Sequence, residues 1–291
     1  MRRLQLDVPP IMSNRLTVII PCKNEAQNVC ACIDSVCDVA DELIIADSGS
    51  TDATVAIAHE SGGCRVIERK WNTACDFKNW AVKQATNDWI LIVDGDERVT
   101  PKLAKEIRRV MVDPQRSGYQ IYRANHFMGH RARFGQWGAD KALRLFDRTC
   151  ASFVGDTDHA AVRVHRGRVG SLRNRLTHFT FWTYDQYLQK MHHYARLQAE
   201  RWYAAGKRPS RIRMFLIAPT RFLQTYVLRL GFLDGAVGFQ ICMMIAFYSF
   251  QKQARLWEQW HGKQQPLADT IVPTCAATAV GIPPPGQRKI A

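Results

Sequence analysis

The sequence predicts an α/β fold: a mostly parallel, doubly wound sheet with helices on both faces, followed by an amphipathic helical region. Three observations predict it. Along residues 16–111, short apolar runs rich in β-branched residues alternate with segments of helical length, the pattern of strand–helix–strand units. Each main run ends in a polar turn, so the strand ends gather on one rim, where open α/β sheets bind ligands. Beyond residue 210 the character changes to long apolar stretches studded with arginine.

Leu16-Thr17-Val18-Ile19-Ile20-Pro21 reads as the first buried strand, and Cys22-Lys23-Asn24-Glu25 as its polar turn. A helix over about 26–37 follows. The second strand, Glu42-Leu43-Ile44-Ile45-Ala46, ends in Asp47-Ser48-Gly49-Ser50-Thr51-Asp52, where Ser50 or Thr51 is placed to cap a helix over about 53–61. A short third strand spans 64–68, and a helix 75–86. The fourth strand, Trp89-Ile90-Leu91-Ile92-Val93, is apolar on both faces and runs into Asp94-Gly95-Asp96-Glu97. There the glycine lets the chain turn sharply among three carboxylates. Thr100 and Pro101 supply an N-cap and a first-turn proline for a helix over 101–111 that carries Glu106.

A bare Asp-x-Asp is ordinarily a solvated turn. Here the turns at 22–25, 47–52 and 94–97 converge on one rim, and that convergence favours a metal. Asp94 and Asp96 are hard oxygen ligands suited to Mg²⁺ or Mn²⁺, ions that keep positions open for phosphate oxygens. Strands at 118–127 and 142–147 enclose a glycine- and aromatic-rich loop, 128–140, of the make-up of a binding lid. Its Trp137 either stacks on a sugar or acceptor or packs on its own loop. A helix over 184–205 is stopped by Gly206. His192 and His193 are adjacent on it and so face different ways, which argues against a shared metal.

Residues 1–160 carry 21 basic and 21 acidic side chains, whereas 161–263 carry 17 against 4. A neutral front and a basic back point to an anionic surface or ligand for the second half. Nucleic acid is not the expected partner, because the charges are interleaved with long aliphatic faces and no nucleic-acid module is visible. The nine cysteines show no paired spacing and read as reduced thiols. Residues 1–15 have no apolar core of signal-peptide length, so export is not expected. Residues 235–251 are free of charge, short of the ~20 that a spanning helix needs. Interfacial helices with arginines at headgroup level fit this region better; a helical cap on the core is the alternative. The expected organisation is an extension (1–15), a catalytic domain (16–180), a helical membrane-associating region (181–262) and a disordered tail (263–291).

Pro21-Cys22-Lys23-Asn24-Glu25, Asp47 to Asp52, Phe77-Lys78-Asn79 and Asp94-Gly95-Asp96-Glu97, in this order, resemble family 2 glycosyltransferases of the GT-A (Rossmann-like) fold. Later matches are Trp137, Asp140, Leu143-Arg144-Leu145-Phe146, His159, His178, Tyr187, Lys190 and Gly231-Phe232-Leu233-Asp234-Gly235. They resemble the branch that adds glucose or a similar hexose to the lipopolysaccharide inner core. The resemblance implies a nucleotide-sugar donor, a UDP-hexose foremost, with Pro21, Asn24 and Glu25 lining its pocket. Asp47 would accept a hydrogen bond from base or ribose, with Asp52 close by. Asp94 and Asp96 would hold the divalent ion through the donor's diphosphate. Lys78 would add a positive charge there, or is simply an exposed helix lysine. Trp137 and Asp140 are the acceptor-side candidates. The acceptor would be a lipid-linked glycan at the cytoplasmic face of the plasma membrane.

An inverting transfer also needs a general base. The branch has His-Glu where this chain has His159-Ala160, so Asp158 is the substitute, with Asp156 and His159 as further candidates. Asp158 lies one residue off and serves only where the segment is loop or bulged. His178 either completes a metal shell or is a structural histidine. The alternatives to lipopolysaccharide transfer are a polyprenyl-phosphate glycosyltransferase and a catalytically silent carbohydrate- or membrane-binding relative.

Overall fold

The computed structural model describes residues 14–155 and 160–262. The first four strands are β1 (Leu16–Cys22), β2 (Glu42–Asp47), β3 (Arg65–Glu68) and β4 (Trp89–Ile92), and the helices between them are α1 (Val29–Val36), α2 (Thr54–Ser61) and α3 (Ala74–Lys83). All four strands are parallel, in the spatial order β3-β2-β1-β4. Helices cover both faces. Leu16, Val18 and Ile20 face α1 and α4 (Pro101–Val112), while Ile19, Ile44, Ile90 and Ile92 face Phe77, Ala81 and Val82 of α3. This is why the strands read as apolar runs and not as alternating ones.

Beyond β4 the sheet becomes mixed. It continues through β8 (Lys141–Asp147), β6 (Gly118–Phe127), β11 (Val169–Phe181) and β5 (Glu97–Val99), with β7 (His130–Arg131) paired to β6. β8 runs antiparallel to both β4 and β6, whereas β11 runs parallel to β6. A separate hairpin joins β9 (Ala151–Val154) to β10 (Ala161–Val164). β5, β7, β9, β10 and β11 were not anticipated. β5 and β7 are only three and two residues long. β11 hides its thirteen residues behind a poor alternation, with only Leu172, Leu176 and Phe181 fully buried. A bulge between Ser171 and Arg175 interrupts its register. Glu106 of α4 fastens that bulge, accepting the backbone N–H groups of Arg173 (2.8 Å) and Asn174 (2.9 Å).

The C-terminal region is helical. α5 (Tyr184–Ala204) starts at a capping box on Thr183 and Gln186. α6 (Arg211–Leu223) passes through a π-helical turn, Gln224–Leu228, and a 3₁₀ turn, Gly231–Asp234, into α7 (Gly235–His261). Ile241, Met244 and Ile245 of α7 join Phe127, Phe181 and Tyr187 in a small core that ties the helices to the end of the sheet. Asp234 accepts the backbone N–H groups of Arg133 (2.9 Å) and Phe134 (2.8 Å), fixing the 128–140 loop to the helices. The outward side carries a run of exposed apolar residues, among them Ile212 (73%), Phe215 (78%) and Leu228 (77%). The described cysteines are free thiols.

Candidate active site

The C-terminal ends of β1, β2 and β4 form the rim, and hydrogen bonds between the first two turns stitch it together. Asn24 sits at φ 56°, a left-handed conformation asparagine tolerates better than most residues. Its side chain accepts the N–H of Thr51 at 2.8 Å, and its own N–H donates to Ser50 Oγ at 2.8 Å. The N–H of Glu25 donates to Thr54 Oγ1 at 2.8 Å and that of Ala26 to Asp52 Oδ2 at 3.1 Å. Asp47 is fully buried and closes its own turn, accepting the N–H groups of Gly49 (2.7 Å) and Ser50 (2.8 Å). Asn24, Asp47 and Asp52 thus spend much of their polar capacity on loop geometry.

Phe77, Lys78 and Asn79 divide three tasks on α3, whose N-cap is Thr73. Phe77 is buried in the core. Asn79 grips the backbone of Phe153, donating at 2.9 Å and accepting at 3.0 Å. Lys78 reaches the rim and donates to Asp94 Oδ1 at 3.0 Å. The other carboxylate oxygen of Asp94 takes Arg144 at 2.5 Å, and the same guanidinium meets Glu97 at 2.6 Å. Arg144 and Glu97 are 5% and 0% exposed, so this is a charge cluster in low dielectric, sustained by its pairing. Burial alone would raise Asp94, but Arg144 and Lys78 prevail and hold its carboxyl well below the usual range. Arg123 extends the cluster, lying 3.6 Å from Glu97 and 2.7 Å from Asp140.

Asp96 faces a different partner, His178 Nε2, at 3.3 Å. The orientation of that ring follows from its neighbours. The Asn125 amide nitrogen donates to Trp137 O at 2.9 Å and to Asp140 at 3.2 Å. Asn125 Oδ1 is therefore an acceptor, and His178 Nδ1, 2.6 Å away, carries the hydrogen it receives. A neutral His178 then turns an Nε2 lone pair towards the Asp96 carboxylate. Two acceptors at that distance require a proton or a cation between them. The second ring nitrogen held by an amide is also what orients a metal-binding imidazole. Burial raises Asp96, and where the bridging charge is a proton on Nε2, the hydrogen bond and charge of the imidazolium outweigh burial and hold the carboxyl below its usual range. Asp96 and His178 thus fit a divalent ion that leaves its other positions to phosphate oxygens and water. No cluster of three or more His, Cys, Asp or Glu ligands occurs among the described residues.

The donor-side cavity, about 480 Å³, is lined by Pro21, Lys23, Glu25, Ser48, Lys78 and Asp96, with Asp94, Arg144, Ala160 and His178 on its walls. A second cavity of about 250 Å³ shares Glu25, Asp96 and Lys190 with it and also takes in Asn24 and Asp52. Trp137 lines neither. Its ring packs against Phe127 (6.1 Å) and Phe181 (6.2 Å), while Asp140 is engaged by Arg123 and Asn125. Asp156, Asp158 and His159 lie outside the described residues. Sequence reasoning did not single out Arg123 or Arg144 as site residues. An arginine inside the apolar strand Leu143-Arg144-Leu145-Phe146 was the available signal, since a buried cation requires a buried partner.

A sequence model of "Glycosyl transferase family 2" matches residues 17–189. An "Uncharacterized glycosyltransferase" of Rickettsia bellii is 30% identical over 85% of this chain and 88% of its own length. The "Lipopolysaccharide core biosynthesis glycosyltransferase LpsC" of Rhizobium meliloti is 27% identical over 87% of this chain and 96% of its own. A solved glucosyl-3-phosphoglycerate synthase from Mycobacterium tuberculosis aligns at TM-score 0.34 and 22% identity over 38% of this chain and 44% of its own, too slight a likeness to argue from.

Glu25 supplies a stability prediction. Burial and then the Asp96 charge push its carboxyl from 4.5 up to about 7. The folded chain therefore keeps this proton where the unfolded one has lost it, so stability falls as pH rises from 4.5 to about 7 and stays at the lower level above that. In denaturant titrations without divalent ions, Glu25→Gln is expected to stabilise by about 2 kcal/mol at pH 8. The gain shrinks steadily as pH falls from 7 towards 4.5.

Proposed function

The chain belongs to glycosyl transferase family 2, and from that premise we propose that it is an inverting, metal-assisted hexosyltransferase. Its donor is a nucleotide-diphosphate sugar, a UDP-hexose foremost, and its acceptor a lipid-linked glycan of the lipopolysaccharide-core kind. The observation that carries this reading is the division of labour at the rim. Asp94 is engaged by Lys78 and Arg144, while Asp96 lies 3.3 Å from His178 Nε2 in the same cavity, two ligand atoms within reach of one ion. The acceptor is suggested by the lipopolysaccharide-core relative.

In the proposed reaction the acceptor hydroxyl oxygen bonds to the anomeric carbon as the bond to the diphosphate breaks. The hydroxyl proton passes to a base, and the nucleoside diphosphate leaves with the bonding pair. A divalent ion seated on Asp96 and His178 would supply charge that offsets the departing diphosphate. Lys78 and Arg144 stand on the same wall, their charges balanced by Asp94 and Glu97. The braced turns of Asn24, Asp47 and Asp52 keep Pro21, Lys23, Glu25 and Ser48 facing the donor. For the base we keep Asp158, with Asp156 and His159 as further candidates; Ala160, which follows them in the chain, lines the donor cavity.

A peripheral seat on the cytoplasmic face of an anionic membrane belongs to the same proposal. The exposed Ile212, Phe215, Leu216 and Leu228 alternate with Arg211, Arg213 and Arg229. Each arginine near an anionic leaflet contributes about 1 kcal/mol. The helical run Gly231–His261 is long and apolar enough to cross a membrane. Its Ile241, Cys242, Met244 and Ile245, however, are buried within the protein, which favours lying along the surface over spanning.

Two measurements test these statements. Wild-type protein is expected to release nucleoside diphosphate from a nucleotide sugar only with Mg²⁺ or Mn²⁺, and Asp96→Ala to lose that activity by at least about a hundredfold. Turnover retained by Asp96→Ala in the presence of chelator contradicts the metal role. In vesicle sedimentation, the double variant Phe215→Ser, Leu228→Ser is expected to leave anionic liposomes at moderate salt, whereas the wild type pellets. Equal pelleting of both chains removes this surface as the anchor.

A further inference from the structure

The second rim cavity meets the donor cavity at Glu25, Asp96 and Lys190, and its aromatic wall has no part in the donor chemistry. It opens between the 24–28 turn and the junction of β11 with α5, and its chief aromatic lining is Phe179, Phe181 and Trp182. Phe181 is buried, but Trp182 is left 40% exposed. Its indole is nevertheless held in place. Phe179 stacks on it with centroids 4.9 Å apart and 13° between planes. The indole N–H donates to Asn28 Oδ1 at 3.3 Å, and the backbone N–H to the Gln186 side chain at 2.9 Å, inside the turn that starts α5. Arg98 backs the stack, its guanidinium 5.6 Å from the Phe179 ring.

A ring fixed this firmly, yet not buried, has paid its ordering entropy before any ligand arrives. Around it stand polar groups in the same cavity: Asn24, Asn28, Gln186, Asp52 and Lys190. Aromatic surface bordered by amide, carboxylate and ammonium groups complements a pyranose, whose C–H face is apolar and whose rim is hydroxyl. The cavity also shares Asp96 with the donor cavity, the adjacency that a donor and acceptor exchanging a hexosyl group require. We propose that this cavity is the subsite for the acceptor's sugar, with Trp182 as its stacking platform. The inference rests on the transferase reading above.

The test is calorimetric titration of lipid-free lipopolysaccharide inner-core oligosaccharide into protein saturated with UDP and Mn²⁺, with UDP binding measured separately. Trp182→Ala is expected to weaken oligosaccharide binding at least about tenfold, and Trp182→Phe to restore most of it. UDP affinity and the unfolding midpoint should stay at wild-type values in both. Wild-type oligosaccharide affinity in a folded Trp182→Ala protein overturns the inference, as does a wild-type chain that binds UDP but no oligosaccharide. A parallel loss of UDP affinity also overturns it, by giving the cavity to the donor's base. A wild-type chain that binds no nucleotide overturns the transferase reading itself.

Discussion

The guanidinium of Arg144, buried between the carboxylates of Asp94 and Glu97 at 2.5 and 2.6 Å, is the contact on which the rim depends. A cation in that position lets a sheet built from Ile90, Leu91 and Ile92 end in several negative charges without expelling them into solvent. Removing one member of such a pair typically costs about 3–5 kcal/mol, because the rest is left buried and uncompensated. The pairing also sorts the carboxylates by task. Asp94 and Glu97 satisfy the protein's own cations, while Asp96 is left facing an imidazole. Between the two aspartates stands Gly95, where a Cβ would come within 2.9 Å of Glu25 Cγ.

How much of this was legible in the sequence follows the distance over which each feature is encoded. The strands β1, β2 and β4, the cap at Thr100 and the three polar turns depend on residues close in the chain and are displayed there, whereas the cap expected at Ser50 or Thr51 is absent, α2 starting after Ala53 with no side-chain cap. The partners of the turns do not. His178 stands opposite Glu97 on one side and Asn125 on the other only because β11 pairs with both β5 and β6. No local pattern announces a pairing across such separations. Arg144 was visible as a charge inside an apolar strand, but not what it would hold. Trp137 reads as a lid residue that either stacks on ligand or packs at home, and its ring packs in the aromatic core. Trp182 offered no signal, since a tryptophan between a strand and a helix is ordinary until its exposure is known.

The two halves of the chain are coupled by contacts that also bear on the site. Asp234, at the entrance to α7, holds the backbone of the 128–140 loop. That loop's Trp137 carbonyl in turn orients Asn125, and Asn125 orients His178. A continuous path of hydrogen bonds and packing thus runs from the arginine-studded helices to the imidazole beside Asp96. The front half, neutral overall, carries the charged chemistry in balanced pairs, while the net positive charge sits behind residue 160.

In the proposed transferase the dication would sit on Asp96 and His178, with Asp94 kept by Arg144 and Lys78. Electron spin-echo modulation of Mn²⁺ bound with UDP tests it most directly, because it reports nitrogen in the metal's coordination shell. Coupling to one imidazole nitrogen is expected, and it should vanish in His178→Ala. Bound Mn²⁺ showing no nitrogen coupling in the wild-type protein would contradict it.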